Sequence, residues 1–166
     1  MHKFRRSIEI EAPIERVFHF HDNPENLLKI TPKEVKVELL KATAPGKGQQ
    51  VSIVVTQFGF FKSHWDVEIT EYEPPYRMVD VAHRSPFRKW RQERLFEKLS
   101  EGRTRMTDCV DYELPAEALT DIFAGKFIEH EIEKMFKHRQ EQTKACIEEQ
   151  ERKAKSAVQN AKETIS

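Results

Sequence analysis

Hydrophobic positions in this chain follow two periods. Up to Leu114 they recur mainly every second residue, and beyond Pro115 every three to four, so a run of strands precedes a long helix. Residues 3–11 alternate, with Phe4, Ile8 and Ile10 on one side, and read as a first strand. Ala12-Pro13 ends it. Ile14, Val17, Phe18 and His21 then recur at helical spacing, which predicts a short helix over 14–21 with Pro13 at its start. Asn23 before Pro24-Glu25 is a cap signal for a second short helix that ends near Ile30, because Thr31-Pro32 stops it. Strands over 35–41, 50–58, 62–73 and 77–83 follow, joined by short turns as in a meander.

The sharpest pattern lies between Trp90 and Leu114, where Ser100-Glu101-Gly102 joins two long strand-like runs into a hairpin with a bulge expected at the Gly. Leu99 opposite Arg103 places Phe96 against Met106, Arg94 against Asp108, Gln92 against Val110 and Trp90 against Tyr112, all on one face. That face is mostly apolar and should look inward, yet it opposes a cation to an anion. The other face, with Arg91, Glu93, Glu97, Arg105, Asp111 and Glu113, should meet water. Alternate turns of a meander share an end. Phe58-Gly59-Phe60-Phe61, Arg84-Ser85-Pro86-Phe87 and the Pro115 corner should therefore form one rim, with the 44–48, 73–75 and 100–102 turns at the other.

After Pro115, Leu119, Ile122, Phe123, Phe127, Ile128, Ile132, Met135 and Phe136 mark one face of an amphipathic helix that should fill the concave side of the sheet. From residue 118 to about 155 it would run roughly 57 Å, against roughly 33 Å for a ten-residue strand. Its last third overshoots. Beyond Arg139 the stripe thins to Thr143, Cys146, Ile147, Ala154 and Val158, so the chain reads as a domain over 1–142 and a solvated helical extension or frayed tail over 143–166. The alternative for that tail is a helix that binds a protein partner.

Lys plus Arg and Asp plus Glu number 28 each, so no net field recruits nucleic acid. Charged residues make up 34% and hydrophobic ones 38%, lean for a fully packed globule and consistent with some solvated helix. No apolar run approaches the roughly 20 residues that span a bilayer, and no signal-peptide core opens the chain, so a cytoplasmic protein is expected. Cys109 and Cys146 read as reduced thiols. No cofactor or metal is expected: His19, His21 and Asp22 have tempting spacing, but alternate helix residues point apart.

Particular residues then connect the pattern to a family. Glu9-Ile10-Glu11-Ala12-Pro13, Val17-Phe18-His19-Phe20-His21, Pro24-Glu25-Asn26-Leu27 and Ile30-Thr31-Pro32 resemble the start of bacterial START-like (SRPBCC) ligand-binding proteins. Pro74-Pro75-Tyr76-Arg77-Met78-Val79-Asp80, Pro86-Phe87-Arg88-Lys89-Trp90-Arg91 and Thr107-Asp108-Cys109-Val110-Asp111-Tyr112-Glu113-Leu114-Pro115 are similar to the later blocks, and Met135-Phe136 with Arg139 to the helix signature. The resemblance covers about residues 3–142. It implies an α+β helix-grip (Bet v 1/START-like) fold, a curved seven-stranded antiparallel sheet wrapped on a long C-terminal helix, with a hydrophobic cavity between them and kinship to polyketide cyclases. Many relatives carry two His after the Trp-Arg pair, where this chain has Gln92 and Arg94, so acid/base chemistry by those imidazoles is not implied here.

On these grounds the expected function is binding or transport of a small hydrophobic or amphipathic, lipid-like ligand. Trp65, Trp90, Gln92, Arg94, Asp108, Tyr112, Phe123 and Phe127 would form the site, and Phe60, Phe61 and Phe87 the entrance. For Arg94 and Asp108 the alternative is a purely structural cross-strand pair. The rim aromatics with Arg88 and Lys89 could also contact lipid headgroups transiently. An enzyme of the cyclase or dehydratase type is the other class, with Asp108 as general base and Arg94 or Tyr112 stabilising an enolate oxygen.

Overall fold

The computed structural model describes residues 1–114 and 122–165. In chain order it contains β1 (His2–Ile10), α1 (Ile14–Phe20), α2 (Glu25–Ile30), β2 (Lys36–Ala42), β3 (Gln50–Gln57), β4 (Phe61–Glu73), β5 (Arg77–Arg84), β6 (Lys89–Ser100), β7 (Arg103–Glu113) and α3 (Ile122–Ile165). The strands form one antiparallel sheet in the order β1-β7-β6-β5-β4-β3-β2, so β2 to β7 are a meander and β1 returns beside β7. This is the helix-grip architecture. The Pro115 corner, Leu119 and the start of the helix stripe lie outside the described residues.

Local signals account for the element ends. Asn23 Oδ1 accepts a 3.0 Å hydrogen bond from the Glu25 amide, one residue ahead of the α2 N-cap Pro24, and fixes the turn into the helix. His21 is the C-cap of α1. The β6–β7 register pairs Trp90 with Tyr112, Gln92 with Val110, Arg94 with Asp108 and Phe96 with Met106, as the alternation predicts. The bulge falls elsewhere than expected: Lys98 pairs Thr104 and Ser100 pairs Arg103, leaving Leu99 as the extra residue. Gly102 is not among the positive-φ residues, so the turn closes over two residues and the irregularity moves into the strand.

The helix α3 does not lie centrally over the sheet. Gln140 Nε2 donates to the Arg6 carbonyl (3.0 Å) and Lys144 Nζ to the Glu9 carbonyl (2.7 Å), which ties α3 to the β1 edge. The concave face of β3 to β5 is left uncovered beneath it. Two apolar clusters hold helix to sheet. Phe18, Ile10, Phe96, Met106 and Ile147 form one, beside α1; Trp90, Val110, Tyr112, Ile132 and Phe136 form the other. Between them β6 contributes Gln92 and Arg94, β7 contributes Asp108, and α3 contributes Gln140 and Thr143, so a polar belt separates two greasy layers.

Packing of α3 also continues beyond residue 142, where the sequence pattern places the end of the domain. Thr143 and Ile147 are each only 1% exposed. Glu148 Oε1 accepts from the Glu11 amide at 2.8 Å, and Arg16 Nε donates to Glu151 Oε1 at 2.9 Å. Polar caps and ion pairs to α1 anchor this turn of helix, which a hydrophobic stripe alone does not reveal. From Arg152 to Ala161 every residue is exposed.

Candidate ligand-binding cavity

The uncovered concave face encloses a cavity of about 490 Å³, within the usual range for small-molecule sites. Its mouth lies by Phe58, Phe60, Phe61 and Phe127. Its walls are Val51, Ile53 and Val55 of β3, Trp65 and Val67 of β4, Trp90 of β6, and Ile128, Ile132, Met135 and Phe136 of α3. At its floor are Asp80, Gln92, Arg94, Asp108, Arg139 and Gln140. The wall is apolar because strand alternation sends branched residues inward; the floor is polar where that alternation delivers charged ones.

Asp108 is the hub of the floor. Its Oδ1 accepts from Gln92 Nε2 and Arg94 Nε, both at 2.9 Å, and its Oδ2 from Gln140 Nε2 at 2.8 Å. Three donors, two from β6 and one from α3, occupy both oxygens of the carboxylate. Arg94 Nη1 also lies 3.4 Å from Met78 Sδ. On the α3 side of the floor, Arg139 Nε is buried with no hydrogen-bond partner among the described residues, as are Gln140 Oε1 and Thr143 Oγ1.

Two of these groups are displaced from their ordinary ionisation. Burial pushes the Asp80 carboxyl up to about 6, against the pull of Arg94 and with help from Asp108. Burial, and then the Arg94 charge, bring Arg139 down to about 10. His21 is held well below the usual imidazole range by burial and by Arg94, so its ring is neutral at pH 7 and lies with Nε2 3.1 Å from Met106 Sδ.

Of the site residues expected from sequence, Trp65, Trp90, Gln92, Arg94, Asp108 and Phe127 line the cavity together, as do Phe60, Phe61 and Phe87. Phe60 is 80% exposed at the opening, whereas Phe87 turns inward against Trp90, ring centroids 4.9 Å apart. Two expectations are corrected. Tyr112 is packed behind the wall between His2, Phe87 and Trp90 and is not part of the described lining. Phe123 is 85% exposed, because at roughly 100° per residue it lies half a turn round α3 from Ile132.

Sequence reasoning passed over Asp80, Arg139 and Gln140 as site residues. Asp80 follows Met78 at the strand period, but Val79 is buried as well, so β5 has no clean polar face to orient the reading. Arg139 follows Met135 and Phe136 by three to four positions, which was the available signal. His19 and His21 diverge as expected: His19 Nδ1 is 2.6 Å from Asp22 Oδ2 at the surface, and His21 faces the core.

Fold and cavity together define a helix-grip protein with an internal amphipathic chamber. The chain belongs to the polyketide cyclase / dehydrase and lipid transport family, whose model matches residues 1–148. Solved structures with the same fold include the Zhui aromatase/cyclase of a Streptomyces species, at 16% identity and a TM-score of 0.69, covering 89% of this chain and 93% of that one. A protein from Thermus thermophilus is similar at 24% identity and a TM-score of 0.66, covering 87% and 99%. A Nitrosomonas europaea protein has 15% identity and a TM-score of 0.69, covering 90% and 96%. No curated protein sequence matches the chain. Among the described residues no helix is long and apolar enough to cross a membrane.

Proposed function

We propose that the protein binds or carries a small amphipathic, lipid-like molecule, its apolar part against Trp65, Trp90, Ile132 and Phe136 and its polar end at the Arg94–Asp108 floor. The observation that carries this reading is a cavity of about 490 Å³ whose wall is apolar and whose floor holds hydrogen-bonded charge. Burying roughly 250 Å² of apolar guest surface is worth about 6 kcal/mol before ordering costs, against about 8 kcal/mol for micromolar retention, so the polar contacts at the floor must supply the remainder. The exposed Phe58, Phe60 and Phe61 beside Lys62 suit brief contact with a lipid surface during loading. Native mass spectrometry of freshly purified full chain tests the proposal. A co-purifying lipid-sized mass, lost in Arg94→Met, is expected; a uniformly empty chain that takes up no amphiphile would end it.

A second reading, acid/base chemistry on the bound guest, is favoured by Asp80. This carboxyl lines the cavity and is held up to about 6, in range to exchange protons near neutral pH. Asp108 suits that task less, since both its oxygens already accept hydrogen bonds. Proton exchange at the α-carbon of a bound β-keto thioester, followed by deuterium incorporation and lost in Asp80→Asn, is the outcome this reading requires.

A further inference from the structure

At the floor of the cavity one cation is left, among the described residues, without a hydrogen-bonded partner at its buried nitrogen. Register sets Arg6 of β1 beside Asp108 and Asp108 beside Arg94, and Arg139 faces this row from α3. Two guanidiniums of the lining, Arg94 and Arg139, thus meet two carboxylates, Asp80 and Asp108, but only Arg94 is bonded to one of them. Asp108 is already taken by Gln92, Arg94 and Gln140. Arg139 has a buried Nε without a hydrogen-bond partner among the described residues, and Asp108 and Asp80 act on it through space only. The other acidic residue of the lining, Glu131, lies two turns of α3 nearer the mouth, roughly 12 Å away along the axis.

A buried guanidinium N–H without an acceptor is costly, and an oxygen of a guest would complete it. Its planar fork matches the two oxygens of a carboxylate. Along α3, Ile132, Met135 and Phe136 lead from Arg139 toward the mouth, so an apolar chain attached to that carboxylate has a greasy path outward. We propose that the guest of this cavity is an amphipathic monoanion, a carboxylate with an apolar body, held head-down by Arg139 with Arg94 beside it. This rests on the cavity reading above and adds the charge of the head to it.

Decanoate and decan-1-ol, which share a chain length and differ in the head, separate the two claims. Binding is followed by the fluorescence of Trp65 and Trp90 in the full chain at pH 7.5. Decanoate should bind at least tenfold tighter than decan-1-ol. Arg139→Gln should bring decanoate down to the alcohol's affinity and leave the alcohol's unchanged, while Arg139→Lys keeps part of the preference; melting curves of both variants verify the fold. Equal affinity of acid and alcohol in the native chain, or an equal loss of both in Arg139→Gln, overturns the anionic head and leaves the cavity reading standing. No binding of either, with no co-purifying mass, overturns both.

Discussion

Arg94 and Asp108 face each other across β6 and β7, with Arg94 Nε 2.9 Å from Asp108 Oδ1, and the carboxylate side of the pair is almost wholly buried. The two partners are unequal, because Asp108 also serves Gln92 and Gln140. Removing the carboxylate strands three donors, one of them charged; removing the arginine leaves the carboxylate with two amide donors. Asp108→Leu should therefore cost about 3–5 kcal/mol, and Arg94→Met roughly half of that. Urea unfolding of the single and double variants measures this, and the double variant should be less destabilised than the sum.

Asp80 should act as a pH-dependent burden on the fold. Its carboxyl is raised to about 6 in the folded chain from 3.8. The unfolded chain gives up the proton first, so between these values it binds fewer protons and stability falls as pH rises, flattening above about 6. Asp80→Asn should be more stable than the native chain at pH 7.5 and indistinguishable from it near pH 3.5. Thermal melts at the two pH values check this, and a gain that persisted at low pH would show that some other effect of the substitution is responsible.

Arg139 should be a residue kept at a cost to stability. Its Nε is buried and without a hydrogen-bond partner among the described residues, and its pKa is brought down to about 10. Arg139→Met keeps the stem's packing and removes the charge, so it should raise stability by about 1–3 kcal/mol. Calorimetry of the chain without guest measures this. A native chain saturated with decanoate should close part of the gap through binding to the folded state alone.

The β3–β4 turn stores a local cost at the mouth. In the three-residue connection between β3 and β4, Phe58 (φ 53°) and Gly59 (φ 76°) are both left-handed, and the Phe60 amide donates to the Gln57 carbonyl at 3.2 Å. A bulky side chain is ill suited to that region, yet the ring sits against Phe127, centroids 6.1 Å apart. Phe58→Asn should stabilise the fold by about 1 kcal/mol and speed guest release, since it relieves the backbone and uncovers the opening. Melting temperature and stopped-flow displacement report the two effects separately.

Truncations locate the end of the folded unit. A chain ending at Arg152 should melt within about 0.5 kcal/mol of the full chain, because the positions from 152 to 161 are exposed. Ending at residue 142 deletes Ile147 and the Glu148 and Glu151 contacts, and should cost about 4 kcal/mol or more. Ile147→Ala alone should cost about 2–4 kcal/mol.

By itself the sequence determined what depends on neighbours along the chain. Alternation defined the strands, Asn23 and the prolines their interruptions, and side-chain parity put Arg94 and Asp108 on one inward face opposite each other, because a one-residue slip would turn every side chain of the strand over. Tertiary structure decided what depends on distance between elements. The polar ties of Gln140 and Lys144 to β1 hold α3 to one side, and that offset opens the chamber and brings Arg139 over Asp80 and Asp108. The same placement turned Phe123 to solvent and closed Tyr112 behind the wall. Periodicity tells which face a residue occupies, whereas the gap between two faces is set by long-range contacts, and the cavity is that gap.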